Sequence, residues 1–139
     1  MAENQDRDES APGGPRSALP VSILIALAWL LPGLGHLLLG RRLRAAVFAA
    51  VIFVAFAVGL MLDGELAVPV AGDPLSYLAT VACLGNGALY VVAKYFGLGV
   101  GVVRSAGWEY GNTFLLTAGM MNLLLLLDVH DIASGRKDW

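Results

Sequence analysis

Charge and cysteine are both scarce in this chain. Only 14% of its 139 residues are charged and it carries a single cysteine, Cys83. Soluble domains are usually about 25% charged, so an ordinary soluble surface is excluded. One cysteine excludes an internal disulfide framework, and Cys83 is expected to pack as a small apolar residue. The formal net charge of −2, with no basic stripe, leaves no footprint for nucleic acid. Signatures of chemistry are missing too. There is no His-x-x-x-His, Cys-x-x-Cys or His-Glu-x-x-His pairing and no Gly-x-Ser-x-Gly turn. The run Gly97-Leu98-Gly99-Val100-Gly101 has neither the spacing nor the Lys-Ser/Thr of a phosphate loop. These absences predict a non-enzymatic protein with no metal or cofactor.

Hydrocarbon is abundant: 58% of the residues are hydrophobic. They collect into runs near the length that crosses a bilayer, about 20 residues. The tail 1–17 is different, with Glu3, Asp6, Asp8 and Glu9 among glycines and prolines, and is expected to be disordered. It lacks the basic start and small-residue cleavage site of a secretory signal. Residues 18–139 form the membrane domain, with apolar segments at about 19–40, 43–62, 75–96 and 113–131. Asp63-Gly64-Glu65 closes the second, Gly72-Asp73-Pro74 opens the third, and Asn112 is placed to cap the fourth. Lipid requires backbone groups to be paired within the element, and the runs do not alternate as barrel strands do. The fold class is therefore all-α, an integral membrane helical bundle.

The first segment contains Pro32, Gly33, Gly35, His36 and Gly40 and is closed by Arg41, Arg42 and Arg44. Pro32 removes a donor and crowds the Ala28 carbonyl, so the helix must kink or break there. If helix resumes, Pro32, Gly33, His36 and Gly40 share a face that receives another helix, with His36 bonded in that contact. Elsewhere, small and polar residues predict the packed faces. They are Ser76, Thr80, Cys83, Gly87, Tyr90 and Lys94 on the third segment, Ala46, Ala50, Phe53 and Ala57 with Ala55 and Gly59 on the second, and Ala118, Gly119 and Asn122 on the fourth.

Lys94, a turn from its helix end, is expected to snorkel to the headgroups, and Tyr95, Trp108 and Tyr110 fit an interfacial belt. Asp128-Val129-His130-Asp131, with His36 and Glu109 as companions, is the sharpest constellation for binding a metal or moving a proton. Asp128 and Asp131 share a helical face while His130 points elsewhere, so a solvated helix end is the favoured reading.

The stretch Pro32-Gly33-Leu34-Gly35-His36, followed by Gly40-Arg41-Arg42 and a long apolar helix, resembles the Pro-Gly-x-Gly-(His/Gln) signature of small bacterial proteins related to the two-transmembrane domain. The last third, from Tyr110-Gly111-Asn112 through Asn122 to Asp128 and Gly135-Arg136-Lys137, resembles an uncharacterised family of small multi-span bacterial proteins. Neither resemblance implies a reaction, cofactor or catalytic residue.

Positive residues bear on orientation. If all four segments cross, Arg41, Arg42, Arg44, Lys94 and Arg104 face Arg7, Arg16, Arg136 and Lys137, five against four. If the first segment turns back at Pro32, the count becomes seven against two. Arg41 to Arg44 are placed in the cytoplasm of a cell with this protein in its inner membrane, and the side of the N-terminus stays open. Two functions follow. One is a structural or accessory component packing in a homo-oligomer or larger membrane complex, its partner otherwise the lipid bilayer. The alternative is a small transport or proton-conducting unit using His36, Lys94, Asn122 and Asp128.

Overall fold

The computed structural model describes residues 19–136; the tail 1–17 lies outside them. Six helices make an all-α bundle: α1 Val21–Leu30, α2 Leu34–Leu38, α3 Arg42–Met61, α4 Pro74–Leu84, α5 Ala88–Tyr95 and α6 Trp108–Ala133. Breaks at 31–33 and 85–87 divide the apolar stretches 19–40 and 75–96 into two helices each. Of these helices α3 and α6, with 20 and 26 residues, are individually long and apolar enough to cross a bilayer. They run antiparallel, Ala45 packing at the first break and Gly59 against Gly111 and Leu115.

The first division follows from its proline. Leu31 is extended (φ −126°, ψ 117°), as a residue before proline is pushed to be, and ends α1. Gly33 turns the chain in the left-handed region (φ 84°). Leu24, Ala28 and Leu39 then pack around the same α6 residue, Val129. The chain therefore enters along the C-terminal half of α6 and returns to it; the segment is a hairpin. Gly40 does not line a groove, because a side chain there would meet nothing. It ends α2, with Gly40 N–H bonded to Leu37 O and Arg41 N–H to His36 O in the pattern of a Schellman stop.

The third segment, expected as one helix from 75 to 96, bends by 105° between α4 and α5. Past α5 the chain comes back to where it left α3. Leu66 N–H bonds to Gly99 O, Val102 N–H bonds to Asp63 O, and Glu65 and Val100 form an isolated antiparallel bridge. The Tyr90 hydroxyl donates to Ala67 O at 3.1 Å. This segment is a second hairpin, entering beside the N-terminal half of α6. The face expected to run continuously from Ser76 to Lys94 is consequently split at the bend.

On α3 the buried stripe is Ala45, Ile52, Phe56 and Gly59. Ala46, Ala50 and Ala57, expected inside, are exposed. Alanine is as compatible with hydrocarbon as with a helix contact, so the stripe alone does not choose a side. The outer surface is strongly apolar: Leu43, Val54, Met61, Leu75, Leu78 and Phe96 are each more than half exposed. Soluble monomers rarely present such continuous apolar area.

Candidate functional site

Breaking a helix releases carbonyl groups, and both breaks release theirs toward the same part of α6. Without a Gly33 N–H in helical register, Trp29 O needs another donor; Asn122 Nδ2 supplies it at 3.3 Å. The same Nδ2 donates to Gly85 O at 2.8 Å, so one amide closes the ends of α1 and α4 together. Trp29 Nε1 donates across to Leu84 O at 3.0 Å. Asn86 Nδ2 donates to Cys83 O at 3.0 Å and to Leu115 O on α6 at 3.1 Å. Asn86 and Asn122 are both fully buried. An unpaired buried polar group costs about 1–3 kcal/mol, so these amides offset the expense of ending two helices at apolar depth.

Glycines let the pieces approach. A Cβ on Gly87, whose φ is +60°, would overlap the Trp29 carbonyl oxygen, so the tips of the two hairpins touch backbone to backbone. A Cβ on Gly119 would overlap Ala82 O, which brings α4 equally close to α6. Ala118, Gly119 and Asn122, expected as one packed face, are all buried there.

Nearer the C-terminus of α6 lies the second polar contact. His36 is 1% exposed, and its Nε2 lies 2.9 Å from Asp128 Oδ2. Phe48 of α3 presents itself edge-on to the imidazole, ring centres 5.3 Å apart at 63°. His36 Nδ1 is buried without a hydrogen-bond partner among the described residues. Gly35 is what seats α2 this deeply, since a Cβ there would come within 2.7 Å of both Ala28 Cβ and a Val129 methyl. Asp128 is thus drawn into the bundle by His36, where a solvated helix end had been expected. His130 and Asp131 are outside it, Nδ1 and Oδ1 being 3.6 Å apart on an open surface with Arg136 a further 3.9 Å contact of Asp131.

The predicted residues therefore fall into groups. Pro32 and Gly33 act through the Trp29 carbonyl on Asn122; Gly35 and His36 meet α6 at Val129 and Asp128. Lys94 is exposed in the last turn of α5, its Nζ 5.9 Å from the Tyr90 ring centre. Asn112 is not a cap, because α6 begins at Trp108; its Oδ1 instead accepts from Glu65 N–H at 2.6 Å. Among the described residues no three His, Cys, Asp or Glu side chains are grouped to hold a metal ion.

Asn86 and Trp29 escaped the sequence reading. A signal for Asn86 existed in the triplet Gly85-Asn86-Gly87, since glycine and asparagine are the residues of tight turns. Trp29 had none, for its indole is indistinguishable in sequence from other apolar filler.

What the arrangement does chemically is tie chain ends to a central helix with amide and imidazole groups. No curated protein and no solved structure matches the sequence. The described family whose model matches is one of unknown function, and residues 23–138 are matched, from inside α1 past the end of α6. Both hairpins and both long helices thus lie within the unit that this family has in common, and the chain belongs to the family of unknown function DUF6677.

Proposed function

We propose that this protein is a non-enzymatic structural or accessory component of the bacterial inner membrane, with α3 and α6 crossing the bilayer and the two hairpins re-entering from opposite faces. The observation that carries this reading is how the buried polar groups are used. Asn86, Asn122 and Trp29 all donate to backbone carbonyls of their own chain. Groups lining a conduction path would be turned toward a solvated channel; here the amide and indole donors are consumed in holding the bundle, and the Oδ1 atoms of Asn86 and Asn122 are enclosed without a donor among the described residues.

The outward stripe of Ala46, Ala50 and Ala57 supports the packing role, because small residues let helices approach closely in lipid. Similarity of the Pro-Gly-Leu-Gly-His stretch to two-transmembrane proteins supports the membrane setting. Orientation follows the positive residues. With two re-entrant hairpins, Arg41, Arg42, Arg44 and Arg136 lie at the α6 C-terminal side and Lys94 and Arg104 opposite, four against two among the described residues. The first side is assigned to the cytoplasm.

Purification from native membranes in mild detergent tests the role. A homo-oligomer or a stoichiometric companion is expected, and a solitary monomer would overturn it. A second reading, proton or solute conduction, draws on two observations: discontinuous helices meeting mid-bundle, as transporter sites do, and the buried His36–Asp128 pair. It requires flux in proteoliposomes that falls in His36→Ala and Asn122→Ala; unchanged flux would dispose of it.

A further inference from the structure

Opposite the His36 end, a cavity of ≈ 340 Å³ opens between the first turns of α4 and α6 and the connector after α3. That is within the size of sites that hold small organic molecules. Glu65, Asp73, Ser76, Trp108 and Asn112 supply its polar lining, and among the described residues no lysine or arginine lines it. Several of these groups lack partners. The half-buried Glu65 makes its one hydrogen bond through its backbone N–H, and its carboxylate is unpaired among the described residues. Trp108 Nε1 is enclosed behind this lining, with no acceptor among the described residues. Asn112 has committed Oδ1 to Glu65, which leaves its Nδ2 to donate. Ser76 and one Asp73 oxygen are engaged locally, in the turn that starts α4.

Two carboxylates without a cation among the described residues call for a positive group, and the free Nδ2 of Asn112 calls for an anionic or neutral oxygen nearby. Leu75 and Leu116 on the same wall add an apolar flank. We infer that this cavity takes the headgroup of a lipid carrying a primary ammonium and a phosphate. The ammonium bonds to Glu65 and to the second Asp73 oxygen, a phosphate oxygen accepts from Asn112 Nδ2, and the acyl chains lie along the exposed apolar surface. A primary ammonium has three donors for the carboxylates, whereas a quaternary one has none. The inference rests on the membrane placement proposed above and adds the chemistry of one lipid class to it.

Native mass spectrometry of the full-length protein in mild detergent, titrated separately with phosphatidylethanolamine, phosphatidylcholine and phosphatidylglycerol, tests it. The ethanolamine lipid is expected to bind at least about tenfold more tightly than the other two, the scale of a charge-assisted hydrogen bond. The Glu65→Gln, Asp73→Asn double variant is expected to lose that preference. Asparagine retains the cap that Asp73 gives to α4, and the single variant Glu65→Gln serves if the double variant melts earlier than the parent. Equal binding of the three lipids, or a preference that survives the substitutions, overturns the inference. So does soluble phosphoethanolamine competing at the lipid's own concentration, since that assigns the cavity to a free amine. Recovery of the protein in the soluble fraction would instead defeat the membrane placement itself, whereas a membrane-bound protein with no preference defeats this inference alone.

Discussion

The first apolar segment is broken by a proline and the third by a Gly-Asn-Gly turn with no proline at all, yet the two breaks end in the same place. At the first, covalent chemistry alone forbids a continuous helix, because Pro32 has no N–H to give and its ring crowds Ala28. At the second, every residue from Leu84 to Ala88 has an N–H and helix is locally possible. What decides against it is the neighbourhood: Gly87 lies against the Trp29 carbonyl, Asn86 reaches Leu115 O, and Asn122 takes up Gly85 O. The pair shows that a break can be written into one residue or assembled from three helices.

If the second break is held by tertiary contact, disturbing that contact should cost more than disturbing the proline. Gly87→Ala carries the largest expected effect, since the new methyl overlaps a backbone oxygen that cannot yield and the φ of +60° disfavours any side chain. A loss of about 3 kcal/mol or more, read as a collapse of the thermal transition in detergent, is expected; a near-parental transition would mean that the tips do not touch. Asn122→Leu comes next. It keeps roughly the volume and strands two carbonyls, for about 2–4 kcal/mol, measured by denaturant titration in micelles.

The His36–Asp128 contact bears on the first hairpin only. A double-mutant cycle with His36→Leu and Asp128→Asn should return a coupling of about 1–2 kcal/mol, and additive effects would remove the pair from the account of why α2 returns to α6. Smallest of all, Pro32→Ala should change stability by about 1 kcal/mol or less, because Gly33, Gly35 and Asn122 still hold the turn. The informative readout there is topology: a reporter fused to the N-terminus should stay on the side of Arg41. Transfer of the reporter to the opposite side would show that the proline, and not the tertiary contacts, turns the chain back.

Much of the helical content was legible. The apolar runs coincide with helical stretches of the bundle, and Asp63-Gly64 and Gly72-Asp73-Pro74 lie in the connection between α3 and α4. The inner face of α6 at Ala118, Gly119 and Asn122 was legible because it combines two small residues with one amide, a set that hydrocarbon does not favour. The alanine stripe of α3 was misleading for the converse reason, alanine being at home on either side. Asp128 read as solvated because its partner lies 92 residues away in the chain, and Asn112 read as a cap because asparagine is good at capping, while the helix in fact begins four residues earlier at Trp108.

What the amino-acid sequence determined by itself was therefore local. It set the helical, lipid-compatible character through composition, the interruption at Pro32 through a missing donor, and the stop at Gly40 through a residue that ends α2 without penalty. Tertiary structure alone decided that the chain turns back at both breaks, that Asn122 serves two helix ends at once, and that His36 draws Asp128 inward. Each of those outcomes depends on groups far apart in the chain meeting at one depth. A freed carbonyl can be satisfied by any donor within about 3 Å, and only the packed bundle determines which donor that is.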